Sequence, residues 1–436
     1  MNKTVLQRTA PFVICILGSF FYVYDYFLAV SPSIITGDLL STFSLNAGEL
    51  GSLMSIFFLA STFFQIPAGM LLDRFGARSL LTLSVLVSGL GTLLFAMASN
   101  SWELGAARLL MGIGSPFAFL GALFLASRWF AHKHFALIAG LVQLGAALGS
   151  TIGGGPLAML VNHLGWRHAL MAIGWVTLVL SLLFWLILRD GEKPVTSEPS
   201  VDNARFRDTL KLPQVWWIAL AGFASWVTVT GVASLWGIPY LMAVYGWSNE
   251  KIGYLYILFW LGLGLGSPLM GWLSDALKSR KIPFYICFGL GFIACLLYIE
   301  APFIPAWLMV IVLILLGFAG SLQSLTFGIA KDIVPPKHFV AASGLINLAA
   351  VATGVIVQPI MGYLIDYSAR SHGVFNAQYH VADYQMGFKV VALVLLLGLL
   401  VTHFGLKETK CQTSHPENLQ PSKEKRLPRR TQSQAK

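Results

Sequence analysis

Long uncharged stretches, broken by short polar connections, follow one another along almost the whole chain. A run of about 20 apolar residues is enough to cross a bilayer as a helix. Such runs fall at 11–36, 49–72, 79–98, 102–127, 136–160, 166–188, 214–240, 250–273, 282–299, 304–330, 338–365 and 386–406, and predict an all-α membrane protein of twelve transmembrane helices, numbered here as spans 1 to 12. Two connections are long. The polar stretch 190–213 divides the chain near its middle and reads as a linker, and 366–385 joins the last two spans. The expected organisation is a short N-terminal segment (1–10), a six-helix half (11–189), the linker (190–213), a second six-helix half (214–407) and a basic tail (408–436). The KEKRLPRR run from Lys423 has no apolar face, so the tail is expected to be disordered and to lie along acidic headgroups.

Composition removes the competing classes. The chain has 436 residues, of which 56% are hydrophobic and 11% charged, whereas a soluble protein carries about 25% charged residues. It cannot cover itself with a water-compatible surface, which excludes soluble enzymes, nucleic-acid binders and disordered proteins. The net charge of +10 therefore reads as a topology signal, with membrane lipids and not nucleic acid as its partner. With the N-terminus inside, about 24 Lys and Arg fall on the cytoplasmic side and about 4 on the other. Both termini and the linker are thus expected in the cytoplasm. The apolar run after Lys3 and Arg8 continues past residue 30, too long for a cleavable signal. Cys15, Cys287, Cys295 and Cys411 imply no disulfide framework, and the histidines, His132, His134 and His168 among them, have no metal-site spacing.

The two halves repeat. GMLLDRFGAR (69–78) ends span 2 and GWLSDALKSR (271–280) ends span 8, so that Gly69, Leu71, Asp73 and Arg78 fall on Gly271, Leu273, Asp275 and Arg280 at one offset. Phe135, Gly140 and Leu141 recur as Phe339, Gly344 and Leu345 in span 11. The first of these loops resembles the loop signature of the major facilitator superfamily. The second copy, the twelve spans and the central linker resemble that superfamily too, over about residues 10–407. The resemblance implies the major facilitator fold and a gating role for Gly69, Asp73, Arg74, Gly76, Arg78, Asp275 and Arg280, as a charge latch between the halves when the protein faces outward. A stray acid in a positive-inside loop is the plainer reading. Ala276 stands where the first copy has Arg74, which predicts a weaker second latch.

Charges inside apolar spans are costly and face a partner or a water-filled cavity. Span 4 carries Arg108 in RLLMGIGSP, a pattern resembling the superfamily's span 4, and span 1 carries Asp25 in FFYVYDYFLAV with Tyr22, Tyr24 and Tyr26. At 1.5 Å per residue, Asp25 lies about 22 Å from one boundary and Arg108 about 10 Å from the other, in a core near 30 Å thick. The resemblance puts spans 1, 4, 7 and 10 around a central cavity, and the two charges are expected to face each other there. An ion pair that only locks spans 1 and 4, or an Arg108 that snorkels to the interface, fits as well. Gln65, Gln143, Trp236, Tyr240, Gln323, Asn347 and Gln358 are further groups that contact either solute or neighbouring helices. Pro239 breaks the backbone ladder, so Trp236–Tyr240 is expected to end span 7 as an outer gate. The glycines of GLVQLGAALGSTIGGGP (140–156) match an antiporter-type motif only at its front, and close helix packing accounts for them.

The expected function is secondary active transport of a small polar organic solute, anionic or zwitterionic because Arg holds carboxylates with a planar fork, by alternating access and with protons as coupling ion. No P-loop, cofactor or catalytic group is seen, so no enzyme is expected, and the chain is expected to act as a monomer. Stretches 128–141 and 165–174 are similar to organic-anion and small-peptide carriers. The first outer loop (37–48) holds no glycosylation acceptor, which fits a bacterial inner membrane. A proton-driven exporter of drugs or siderophore-like molecules would share the fold, and the partial glycine motif of span 5 gives that alternative some weight. A non-transporting receptor would need a signalling domain beyond the short tail.

Overall fold

The computed structural model describes the backbone of residues 3–130, 132–190, 203–371 and 379–412, with the side chains of residues 3–12, 132–137, 139–140, 203–206, 303 and 336–337 and of Asp73 and Gln143 outside that description. Among the described residues there is no strand, and twelve helical spans are long and apolar enough to cross a membrane. The number agrees with the hydropathy reading; the interiors of several spans do not. Span 1 is Lys3–Val30, and the expected loop after it holds a helix, Thr36–Phe43. Span 2 is Ala47–Phe75, span 3 Ala77–Met97, span 4 Ser101–Trp129 and span 6 Trp166–Ile187. Span 5 is interrupted, His132–Ile152 and then Gly155–Leu164, where consecutive glycines weaken the helix.

Span 7 corrects the expectation of a break. It runs from Pro213 to Tyr245, passing through a π-helical segment, Thr228–Trp236, between Pro213–Val227 and Gly237–Tyr245. The wider π turn absorbs the disturbance, and Pro239 falls in the first turn of the following helix, where a missing N–H costs little. Span 8 is Asn249–Leu255 with Ile257–Leu277, and span 9 is Lys281–Ile299. Span 10 is also interrupted, as Ala306–Gly320 and Gln323–Ile333. Span 11 is Pro336–Ser371, and span 12 is Val381–Leu400 extended by a π turn, Val401–Gly405.

Within each half the spans pack on one another, 3 on 4 and 6, 9 on 10 and 12. The halves meet through span 2 on span 11 and span 5 on span 8. These junctions lie at the end of the bundle opposite the two repeated loops, the far end as against the motif end. Gly51 shows why small residues are needed: a Cβ there would stand 2.5 Å from the carbonyl oxygen of Gln358. Side-chain-free contact lets the backbones approach. Toward the motif end the same helices separate, and a Cβ added at Gly69 of span 2 or at Gly344 of span 11 would meet nothing within 4 Å. The protein is closed at the far end and open at the motif end.

A carboxylate fastens the closed end. The first N–H groups of a helix have no partner within it. In span 2 the Ala47 and Gly48 amides donate to Asp366 of span 11, at 3.0 and 2.7 Å, and the Glu49 amide donates to the side chain of Asn46. Tyr379 donates its hydroxyl to Asp366 at 2.6 Å and accepts from the Ala47 amide at 2.7 Å. One half thus supplies the anion for the positive helix end of the other.

The motif end is braced within each half. Gly76 has φ +79°, open to glycine, and turns the chain from span 2 into span 3. The Arg78 amide donates to Asp190, just past span 6, at 2.8 Å. In the second half Glu408, just past span 12, accepts from the amides of Arg280 and Lys281 at 2.9 and 3.1 Å and from the Ser279 hydroxyl. Thr409 donates to Asp332. The tail therefore begins as a docked strap, not as a disordered segment, because the start of span 9 needs acceptors. The Lys423 run and residues 191–202 of the linker lie outside the described residues. The end of the linker is a helix, Asn203–Leu210, tied to span 11 by Thr209 and His338.

Two outcomes follow. Asp366→Asn removes a charged helix cap, about 1–2 kcal/mol, and is expected to raise roughly tenfold the labelling of a cysteine placed at Ala29 by a membrane-impermeant maleimide applied from the far side of sealed vesicles. Unchanged labelling would deny Asp366 this closing role. Burial alone would raise the Glu408 carboxyl, but the Ser279 hydroxyl and the Arg280, Lys410 and Lys281 amides outweigh it and bring it from 4.5 to about 2. A depressed acid stabilises above its unfolded value and loses that contribution as pH falls from about 4.5 toward 2. The slope of Tm against pH between 5 and 3 is therefore expected to flatten in Glu408→Gln.

Candidate functional site

Between the halves lies a cavity of about 680 Å3, bordered by spans 1, 2, 4, 5, 7, 8, 10 and 11. Span 1 presents Tyr22, Asp25, Tyr26 and Ala29, spaced so that one helical face lines the cavity. Tyr24, two residues from Tyr22, points the opposite way, to the Thr92 hydroxyl of span 3 at 2.5 Å. Helical spacing separates it from the site. Gln65, Gln323 and Asn347 border the cavity. Leu141, Leu144 and Ala146 represent span 5 there, while the Gln143 side chain lies outside the description.

Trp236 and Tyr240 are placed away from the cavity, in the interior of the second half. The Trp236 indole donates to the Gln358 carbonyl at 3.2 Å, and the Tyr240 hydroxyl to the carbonyls of Tyr298 and Ile299 at 3.0 and 2.7 Å. The π segment rotates the chain so that both become packing residues. Gln358 likewise commits its Nε2 to the Thr230 carbonyl.

Asp25 and Arg108 are neighbours without forming the cavity-facing pair expected of them. Asp25 is part of the cavity wall, which Ser115 of span 4 also lines. Arg108 is 1% exposed and stands behind that wall. Its Nη1 donates to the Leu28 carbonyl at 3.0 Å and its Nη2 to the Met54 carbonyl at 3.3 Å, while the guanidinium lies 4.7 Å over the Phe57 ring. Span 1 ends at Val30, so the Leu28 carbonyl belongs to its last turn, where a cation is favoured. The ion pairs among the described residues do not include Asp25 with Arg108. Arg108 staples spans 1, 2 and 4, and its charge reaches Asp25 through space.

The remaining wall is aromatic and hydroxylic. Phe57, Phe58, Phe119, Trp226, Trp260 and Phe327 surround Ser61, Ser115, Ser267 and Ser324. Asp25 is the only acid, and there is no Lys or Arg, among these lining residues. Sequence reading passed over the serines and the two tryptophans, because Ser and Trp inside a span are ordinary packing residues. Tracing the Tyr22–Ala29 face onto its neighbours would have been the available signal.

The loop motifs bond within their own halves in this conformation. Arg78 donates to the Trp185 carbonyl, and Arg280 pairs with Asp332 at 2.9 Å and Asp275 at 3.1 Å. Arg74 is exposed and lies over Phe75.

The model of the Major Facilitator Superfamily matches residues 15–249 and again 218–433. The chain belongs to this superfamily. Among its relatives, a quinolone resistance transporter of Acinetobacter baumannii is 25% identical, over 84% of this chain and 86% of its own length. A gentisate transporter of Corynebacterium glutamicum is also 25% identical, over 80% of each chain. The crystal structure of a bacterial homologue of the human lysosomal transporter Spinster, inward-facing and occupied, superposes with a TM-score of 0.75 at 16% identity, covering 91% of this chain and 96% of that one. The fold is thus that of two six-helix halves, and the chain is a multi-pass membrane protein of a family of secondary transporters.

Arg108→Lys keeps the charge but not the fork that reaches two carbonyls. It is expected to cost about 1.5–3 kcal/mol, the worth of a charged hydrogen bond, read as a lower melting temperature in detergent, with solute affinity of the folded protein within about twofold of wild type. A collapse of affinity at unchanged Tm would put Arg108 in the site after all.

Proposed function

We propose that the protein carries a small ring-bearing organic acid across the membrane together with a proton, by alternating access about the central cavity. The observation that carries the reading is the placement of Asp25 on the cavity wall with Arg108 fixed behind it. With Asp25 ionised the two charges offset each other. A proton on Asp25 leaves the Arg108 charge uncompensated in a medium of low dielectric, and the cavity then attracts an anion. Proton and anion binding strengthen each other, as reciprocal linkage requires. The aromatic wall suits a ring, and the relative named for gentisate transport, a dihydroxybenzoate, supports an organic acid.

The basic-residue bias supports a cytoplasmic motif end, which makes this conformation the inward-open one, and the bacterial relatives support a bacterial inner membrane. The loop latch around Asp73 belongs to the opposite, outward-open state, in which Arg74 and Arg78 come within reach of the second half. The relative named for quinolone resistance favours a second reading in which the same site drives export. Asp25 keeps its role there, and only the direction of net flux differs.

Proteoliposomes decide the coupling. Wild type is expected to accumulate radiolabelled gentisate when the outside is acidic. Asp25→Asn, fixed in the uncharged form, is expected to retain gentisate exchange between equal concentrations and to lose accumulation driven by the pH gradient. Accumulation at the wild-type level in Asp25→Asn would remove the proton site.

A further inference from the structure

Spans 2 and 11 cross as an antiparallel pair, one from each half, and their contact faces continue past the point where they part. At the closed end a Cβ added at Gly362 of span 11 would run into the Ala47 carbonyl of span 2, and one at Gly51 into the Gln358 carbonyl. Farther along, Gly354 lies against the Phe58 ring. Gly51, Phe58 and Gln65 follow at intervals of seven, which keeps them on one face of span 2. Gly362, Gln358, Gly354, Val351 and Asn347 share a face of span 11 at intervals of four, four, three and four. From the Gly51–Gln358 contact, Gln65 is fourteen residues on and Asn347 eleven, about 21 and 17 Å at 1.5 Å per residue, so they stand within one turn of each other in depth. Both border the cavity, from opposite halves. Unlike the Gln323 amide, which is sealed in the interior, both are open to solvent, and neither amide has a hydrogen-bond partner among the described residues. One turn further, at Gly69 and Gly344, an added Cβ would meet nothing within 4 Å.

Alternating access requires the motif end to close in its turn, and the continuing faces of these two helices are the surfaces that then meet. Closure takes both amides out of water, which costs each of them unless it finds a partner. A primary amide carries a donor and an acceptor side by side, so two amides satisfy each other reciprocally. We propose that Gln65 and Asn347 form the inner gate of the cavity: in the outward-open state their amides bond each other across the halves and seal the cavity from the motif end. The proposal rests on the alternating-access reading of the protein. The gate is the counterpart of the Asp366 closure at the far end, with a different chemistry. There a carboxylate caps a helix of the other half, whereas here two neutral side chains pair. This end therefore closes without taking up a charge, and the Asp25 carboxyl is left to the coupling proton.

Ala29 borders the cavity, so the rate at which a membrane-impermeant maleimide labels Ala29→Cys from the far side of sealed vesicles reports how often the outward-open state is reached. Gln65→Leu and Asn347→Leu, each added to this parent, leave the other amide sealed without a partner, and each is expected to slow labelling roughly tenfold. Replacing both removes the unpaired group together with its partner. Gln65→Leu/Asn347→Leu is therefore expected to return to within about threefold of the parent, a coupling that independent positions do not show. The exchange Gln65→Asn/Asn347→Gln keeps both amides and their combined length and is expected to label within about twofold of the parent, which keeps the test valid if the leucine variants fold poorly. Single variants that label like the parent, effects that multiply in the double leucine variant, or a tenfold loss in the exchanged pair would each overturn the gate. If the parent labels in detergent but never from the far side of vesicles, alternating access itself falls, and the gate with it.

Discussion

The Asp366 carboxylate at the start of span 2 is the contact on which the arrangement of the halves turns. Ala47 and Gly48 begin a helix inside or beside the bilayer, where no intrahelical acceptor exists for their amides and water is scarce. The acceptor comes from the other half. Around it, Gly51 against the Gln358 carbonyl lets the backbones touch. Closing this end separates the helices at the other, so that a cavity at mid-depth with one mouth is the geometric consequence. In the alternating-access cycle proposed for the protein, this is the contact that has to be released for the far end to open.

The cavity charge is arranged by the same need to satisfy polar groups away from water. An arginine inside a span is tolerated where the protein offers it acceptors. Arg108 takes the carbonyl at the finishing turn of span 1 and one of span 2, and lies over an aromatic ring. It thereby becomes a fixed positive charge behind the wall, and Asp25 is the one acid among the residues that line the cavity. A solute needs no cationic side chain in the wall if protonation of Asp25 exposes the charge behind it.

What could be read from the sequence follows the range of each signal. Hydropathy sees length and apolarity, and all twelve spans were visible by it. It sees neither facing nor local winding. Trp236 and Tyr240 looked like gate residues because Pro239 signals a break, whereas a π segment carries the span past it. Tyr24 looked equivalent to Tyr22 until helical phase put it on the other side of span 1. Counting along spans 1 and 4 puts Arg108 and Asp25 at similar depth, but depth leaves azimuth free, and the guanidinium turns to backbone carbonyls. Glu408 sat in what composition marks as tail, since a single acid serving a helix start leaves no periodic trace. Asp366 escaped for the same reason, lying near the end of a span where acids are ordinary. The repeated loop, by contrast, was legible because two copies at one offset carry information that a single residue does not.

The central claim is that the halves rock about the cavity, closing one end as the other opens. Spin labels at Ser41 and Ala243 report the far end, and labels at Phe75 and Leu277 the motif end, all four positions being exposed. Distances by pulsed electron resonance in lipid nanodiscs, with and without gentisate at acidic pH, test the claim directly. The account predicts opposite changes, the far-end distance lengthening as the motif-end distance shortens. Distances that both stay fixed, or that lengthen together, would contradict it.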